Sequence, residues 1–549
     1  MIVHGSGIEQ IDAHIRKLET PTHTLYWEGL VFKDGLPAGA PSLQSFVREL
    51  SNLAGASTSL RGVYFVAVRE NSSGDTYVFG DQTGLFHLFA SETAVSNSLL
   101  DLGVNDRLTF SDVDHQAVVD FLTYGYLTFG RTLSSKIRRL QPDQIARVRK
   151  GAAVEFLHRP VRDISEPPQY SVDDILRNLA GAVNEEKVSV DLTGGIDTRL
   201  IAITLDYYGM KFEVAHAGTR GNTDMAIAEV VAAALGRELV VTYHDPTNFE
   251  SVLPELFRTC DGLLDISKDH LGLQMQHERL ARGITLVIAG DGGPLHKDQN
   301  WLQDFPFYAR RKPNVQKFCN YRVAPVVANY ALFSDHYADL ARTYRQRALE
   351  FINRHVVPGN TQTYDQVYFH LNAPDSLGRF ASNHAGMVDV YSPLCERDAV
   401  AYSYHLPRTQ RFFNNFHRNS MTRLNPRVAR IRTTEGGISG SSEWSKVAAD
   451  FARYAVDKMS RVQKKLNQRF FNKPYRHEVP IDPRLYDNIR NCSTMRDAVA
   501  DLRDRGVLNP QISLKDIPNG SLGSILTLHL TIEHLEGAHR VARPVALCS

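Results

Sequence analysis

Val188-Ser189-Val190-Asp191-Leu192-Thr193-Gly194-Gly195-Ile196-Asp197-Thr198-Arg199-Leu200 is the stretch on which the reading of the whole chain turns. It begins as an apolar, β-branched run and passes through a hydroxyl-Gly-Gly turn. It continues into Ile201-Ala202-Ile203-Thr204-Leu205, whose apolar spacing suits a helix packed on a sheet. The order is strand, phosphate-sized turn, helix start. Paired glycines let backbone N–H groups approach an anion without Cβ obstruction, and the helix N-terminus adds unsatisfied donors and the favourable end of a dipole. Thr193 and Thr198 add hydroxyl donors, and Asp197 is placed to hold Mg²⁺ against phosphate oxygens. Taken alone, Gly-Gly-x-Asp also suits an ordinary βα turn. A Walker-type loop is disfavoured, because no Gly-x-x-x-x-Gly-Lys-Ser/Thr occurs and no lysine follows these glycines.

The segment resembles the Ser-Gly-Gly-x-Asp-Ser pyrophosphate loop of the ATP-pyrophosphatase family, with threonine at both serine positions so that both hydroxyls are kept. The resemblance implies ATP and Mg²⁺ as cofactors. Leu192, Thr193, Gly194, Gly195, Asp197 and Thr198 would then line the nucleotide site, with Asp197 as the metal ligand.

A chain of 549 residues is too long for one ordinary core and suggests roughly two to four domains. With 43% apolar and 22% charged residues, the composition is that of a soluble globular protein. The 62 basic and 61 acidic side chains leave a net charge of +1, so no global field favours nucleic acid or a membrane surface. Any anion must be recognised locally. Cys260, Cys319, Cys395, Cys492 and Cys548 are widely separated, which reads as free thiols in a reducing cytoplasm. The start of the chain lacks the pattern of a signal peptide, and no apolar run reaches the roughly 20 residues that a membrane helix needs.

Short β-like runs dominate residues 20–33 and 60–110, punctuated by Gly, Asn, Ser and Asp, and residues 115–122 read as a helix. Pro160, Pro167 and Pro168 among charged residues mark a linker, which sets domains at 1–160 and 161–549. After it, strand and helix alternate. Residues 212–217, 238–243 and 284–289 read as strands, and residues 224–235 as a helix ended by Gly236. That order implies a largely parallel sheet with its ligand at the carboxyl ends of the strands. Beyond Lys446 the chain reads as mainly helical, with solvated basic faces at residues 458–469 and a final apolar helix through residues 522–530. The expected class is α/β, with an N-terminal α+β sandwich domain, a parallel-sheet domain and a helical C-terminal part.

Further motifs resemble the asparagine synthetase family. In the first portion they are Arg61-Gly62-Val63-Tyr64-Phe65-Val66-Ala67, Gly84-Leu85-Phe86-His87-Leu88-Phe89 and Arg138-Arg139-Leu140-Gln141-Pro142, similar in order and spacing to the family's glutaminase domain. Active members expose a cysteine directly after the initiator Met. Here Ile2 holds that place and no cysteine precedes Cys260, so an inactive glutaminase-like domain is expected. In the second portion, Gly290-Asp291-Gly292-Gly293-Pro294-Leu295-His296-Lys297-Asp298 resembles the Gly-Glu-Gly-Ser-Asp-Glu loop that borders the adenylate and acceptor sites. The resemblance adds Gly290 to the nucleotide site and puts Asp291 near the reacting amine. Pro294 falls where the family has a metal-associated Asp, a loss that Asp298 or substrate phosphates would have to offset.

Met387-Val388-Asp389-Val390-Tyr391-Ser392-Pro393-Leu394-Cys395-Glu396 resembles a bracing segment of the same family, with Tyr391 in place of its arginine and structural roles expected for Asp389, Tyr391 and Glu396. The run from Ala429 to Ser439 aligns with a late basic loop whose lysine is missing. Arg432 is the nearest cation there and Arg430 the second, suited to electrostatic stabilisation rather than proton donation. The aromatic residues 301–308 are either a pocket wall or a packed connection.

The resemblance runs to about residue 445 and implies ATP-dependent amide formation by adenylation of a carboxylate and capture by an amine. Without the cysteine, the chain looks like β-lactam synthetases and lasso-peptide cyclases, enzymes of antibiotic biosynthesis. Ammonia-dependent asparagine synthetase-like amidation and a catalytically degenerate nucleotide-binding protein are the alternatives. The expected partners are a small-molecule or peptide carboxylate and an amine substrate, with no nucleic acid, no membrane, and a homodimer left open.

Overall fold

The computed structural model describes residues 1–9, 12–183, 187–218, 221–297, 314–323, 329–355, 362–411, 414–434, 437–440, 455–456, 459, 462–463, 466 and 482–537. The expectations placed on Asp298, on residues 301–308, on Glu435 and Gly436, on most of 458–469 and on Cys548 lie outside these residues.

In chain order the first strands are β1 (Ile2–His4), β2 (Gly7–Glu9), β3 (Arg16–Glu19), β4 (His23–Lys33), β5 (Leu60–Glu70), β6 (Thr76–Gly80), β7 (Phe89–Ala90), β8 (Ala94–Ser96), β9 (Arg138–Arg139), β10 (Gln144–Val148) and β11 (Glu155–His158). They form two antiparallel sheets, ordered β2-β1-β8-β7-β9 and β11-β10-β6-β5-β4-β3. The long strands β4 and β5 pair along their whole length, from His23 opposite Glu70 to Lys33 opposite Leu60. Alternation along them gives the sheet two buried faces. Leu25, Trp27, Val31, Tyr64, Val66 and Val68 pack on Leu43 and Phe46 of the helix Ala40–Val47. Leu30, Phe32, Phe65 and Ala67 share a core with Val3, Ala90 and Val95 of the other sheet.

The second half carries β12 (Val188–Asp191), β13 (Glu213–Gly218), β14 (Leu239–Tyr243), β15 (Leu286–Ile288) and β16 (Asp389–Tyr391), all parallel, in the order β14-β13-β12-β15-β16. The helices expected after β12 and β13 are present as Asp197–Tyr207 and Thr223–Ala234. Strand order reverses beside β12, since β13 and β14 extend the sheet one way and β15 and β16 the other. That switch point lies between β12 and β15, and in such sheets ligands bind outside the carboxyl ends of the strands there.

The C-terminal helices Pro483–Asn491, Ser493–Asp504 and Asn519–Gly537 contribute Leu485, Met495, Leu502, Leu526 and Ile532 to one core. Val118 and Phe121 of the helix His115–Tyr124, and Leu256 and Leu273 of the second half, join the same core. The proline-bearing connection at 160–171 is irregular but anchored. Arg162 pairs with Asp398 at 3.0 Å, and the Gln169 N–H donates to the same carboxylate at 2.8 Å. Among the described residues no helix is long and apolar enough to cross a membrane.

Candidate active site

The turn after β12 is braced by its own hydroxyls. Thr198 Oγ1 accepts the Thr193 N–H at 3.1 Å and lies 3.0 Å from Thr193 Oγ1, which in turn accepts the Gly195 N–H at 3.1 Å. Threonine therefore does at both positions what the loop geometry requires of a hydroxyl. Leu192 is buried, with its N–H donating to Ala215 O and its carbonyl accepting from His216 Nδ1. The Gly194 N–H donates to Asp224 Oδ1 at 3.0 Å, so the first turn of the neighbouring helix touches the loop.

The loop after β15 lies directly against this turn. A Cβ at Gly290 would run into Thr198 Cγ2, and one at Gly293 would overlap the Asp197 carboxylate. Gly292 combines φ of +86° with the Leu394 carbonyl 2.7 Å from where its Cβ would be. Gly290 and Gly293 thus let two loops from adjacent strands meet without side chains between them, and Gly292 does the same against the segment after β16. Asp291 accepts a hydrogen bond from Ser392 Oγ at 3.2 Å. Burial, then the nearby Asp191 carboxylate, push its carboxyl up to about 6, with Asp197 adding to the shift.

An ammonium and an imidazole face Asp197. Lys297 Nζ lies 2.6 Å from Oδ2 and His417 Nε2 lies 2.9 Å from Oδ1. Burial alone would raise this carboxyl, but Lys297 and His417 outweigh it and hold it well below the usual carboxylate range. Asp197 is the residue expected to hold Mg²⁺, and Pro294 occupies the other expected position. Among the described residues no group of three or more His, Cys, Asp or Glu side chains is arranged for a metal ion. Among the described residues this donor set does not fit a protein-held Mg²⁺, because the ammonium of Lys297 occupies Asp197 Oδ2.

The late loop joins through its backbone. The Thr434 N–H donates to Gly194 O at 3.1 Å. Arg199, fully buried one turn into the helix, donates to Gly194 O, Ile431 O and Arg432 O at 3.0–3.1 Å. Burial pushes its guanidinium down to about 10. Arg432 therefore joins through its carbonyl, which accepts from Arg199, and it is exposed, as is Arg430. The predicted Thr193, Gly194, Gly195, Asp197, Thr198, Gly290 and Asp291 converge. Lys297, His417, Arg199 and Asp224 complete the site without having been singled out from the sequence.

Asp389, Tyr391 and Glu396 tie the parallel sheet to the first domain. Arg16 pairs with Asp389 at 2.7 Å, Arg61 pairs with Glu396, and Tyr391 Oη donates to Glu396. The guanidinium that Tyr391 replaces in the bracing segment is supplied here by Arg61, from the other domain.

A parallel α/β sheet whose switch point carries two glycine loops, one of them lined by hydroxyls, is the architecture of a nucleotide-phosphate-binding protein. The family model for asparagine synthase matches residues 174–483, more than half of the chain, and the chain belongs to that family. Membership makes it an ATP-dependent carbon–nitrogen ligase. No curated protein matches it significantly.

Proposed function

We propose that this ligase adenylates a substrate carboxylate, releasing pyrophosphate, and passes the acyl group to an amine without hydrolysing glutamine. The observation that supports the reading is the direct contact of the β12 and β15 loops, at Gly290 with Thr198 and at Gly293 with Asp197, with Asp291 between the two glycines. The N–H groups of that turn and of the helix beginning at Asp197 would take the β- and γ-phosphates. Mg²⁺ would arrive on the nucleotide's own phosphates. Asp291, with its carboxyl pushed up to about 6, is suited to accept the proton of the attacking amine near neutral pH. Arg199 would hold the late loop closed over the turn.

Supporting the absence of glutamine hydrolysis, the side chain of Ile2 is buried in β1 between β2 and β8. We keep residues 1–160 as an inactive glutaminase-like unit and 161–549 as the ligase unit. The subtype we favour is that of β-lactam synthetases and lasso-peptide cyclases, in specialised-metabolite biosynthesis. The four described cysteines, free and buried, suit the reducing cytoplasm.

The test is a pyrophosphate-release screen of purified protein against candidate acids and amines, with product masses recorded. Amine-dependent release with an amide product supports the reading. Nucleotide binding without release under any pair would favour a degenerate nucleotide-binding protein, and release with ammonia alone would favour simple amidation.

A further inference from the structure

We propose that Lys297 is the resident cation of the phosphate site, replacing with its ammonium both a protein-held metal ion at Asp197 and the lysine missing from the late loop. This rests on the ligase reading above. Lys297 follows the short turn Gly293–His296, and its ammonium reaches Asp197 Oδ2 at 2.6 Å while the residue as a whole is only 8% exposed. Burying an ammonium is costly unless it is paired, so the position is built rather than incidental.

The backbone behind it is fixed by a second buried pair. Arg411 donates Nη2 and Nε to the Lys297 carbonyl at 3.0 and 3.3 Å and grips Asp365 through Nη1 and Nη2 at 2.6 and 2.9 Å. Both side chains of that pair are at most 2% exposed. On the far side of Asp197, His417 extends from the helix Asn415–Leu424.

The carboxylate thus has an ammonium on one oxygen and an imidazole against the other, at the first residue of the helix that would receive pyrophosphate. A metal needs an open carboxylate oxygen and a second ligand. Here Lys297 takes Oδ2 of Asp197, the His417 imidazole lies against Oδ1, and among the described residues the second ligand position is Pro294. An ammonium on a four-carbon stem turns from Asp197 to a phosphate oxygen by rotamer change alone, which gives a cation that is always present and needs no loading.

The experiment is calorimetric binding of sodium pyrophosphate and of AMP to the full chain, for wild type, Lys297→Met and Lys297→Arg. It is paired with electron paramagnetic resonance of Mn²⁺ added to nucleotide-free wild type. Losing a charge-assisted contact predicts pyrophosphate affinity roughly 10- to 100-fold weaker in Lys297→Met. AMP affinity should be unchanged, Lys297→Arg should stay within a few-fold of wild type, and Mn²⁺ should remain free.

Pyrophosphate binding to Lys297→Met within two-fold of wild type would overturn the assignment. So would equal losses in Lys297→Met and Lys297→Arg, which mark a purely structural lysine. Mn²⁺ bound to the wild type and released by Asp197→Asn would restore the metal site in its place. Wild type that binds neither pyrophosphate nor AMP removes the ligase reading itself, and this proposal with it.

Discussion

Arg61 and Glu396, separated by most of the chain, form an ion pair across the two halves of the molecule, with side chains only 8% and 10% exposed. Removing one member leaves the other charged and buried, at a cost of about 3–5 kcal/mol. Arg61→Met should therefore lower the melting temperature clearly. Arg61→Met combined with Glu396→Gln should recover part of the loss. Differential scanning calorimetry of the two single variants and the double variant reads the coupling, and strictly additive losses would show that the pair is not the joint.

Asp291 has a folded-state carboxyl raised to about 6 from an ordinary value near 3.8. A raised carboxyl favours the folded state fully below the unfolded value and loses that contribution as pH rises through 6. At neutral pH its ionised form then opposes folding, on the order of 2–3 kcal/mol. Asp291→Asn should melt higher than wild type at pH 7.5, with the advantage vanishing near pH 4. The same variant should form product about 10²- to 10⁴-fold more slowly while ATP–pyrophosphate exchange is retained. Equal retention of both activities would reduce Asp291 to a loop-capping residue.

Asp197→Ala should abolish ATP–pyrophosphate exchange and leave far-UV circular dichroism unchanged. Its carboxyl is depressed by Lys297 and His417 against the effect of burial, so its stabilising contribution is present above the unfolded value of about 3.9 and is lost as pH falls below it. Wild type and Asp197→Asn should differ in melting temperature at pH 7 and converge in strong acid. A folded Asp197→Ala protein with wild-type exchange would remove this residue from the site.

Gly293→Ala should cost more activity than its size suggests, because the new methyl group would overlap the Asp197 carboxylate. Gly181, with nothing near its would-be Cβ, is the control, and Gly181→Ala should behave as wild type. Exchange rates and melting temperatures of both variants decide the matter, and matching behaviour would mean the loops do not meet as described.

Glutamine should not serve as nitrogen donor. Homogeneous protein should release no glutamate from glutamine above a heat-killed control, whereas the true amine supports turnover.

The loops were legible because each is written contiguously: Thr193-Gly194-Gly195 and Gly290-Asp291-Gly292-Gly293 carry their backbone demands in adjacent residues. The strand–helix alternation around them was legible for the same reason, although the strand expected over 284–289 narrows to Leu286–Ile288. Lys297 and Asp197 are 100 residues apart, so nothing local announces that one neutralises the other. Arg199 sits inside an apolar helix and looks like a surface residue until its three carbonyl partners fold around it. Arg432 was singled out for its charge and its place in a motif, yet it joins the site through its carbonyl. Tyr391 looked like a lost arginine, and only the three-dimensional contact shows Arg61 arriving from another domain. What local pattern cannot encode is which distant side chain answers a buried charge.

Strand β16 is three residues long and stands at the end of the parallel sheet, where it packs against β4 and β5 of the first domain. An open sheet edge invites pairing with other chains, and this one is covered. Phe32 and Tyr391 meet edge to face, with ring centroids 6.2 Å apart, and Arg16 and Arg61 neutralise carboxylates at Asp389 and Glu396. The two halves are therefore not modular at this border. Cutting away residues 1–160 would leave two stranded carboxylates and bare the apolar edge at β16. Whatever chemistry the first half carries, the sheet of the second half depends on it for that cover.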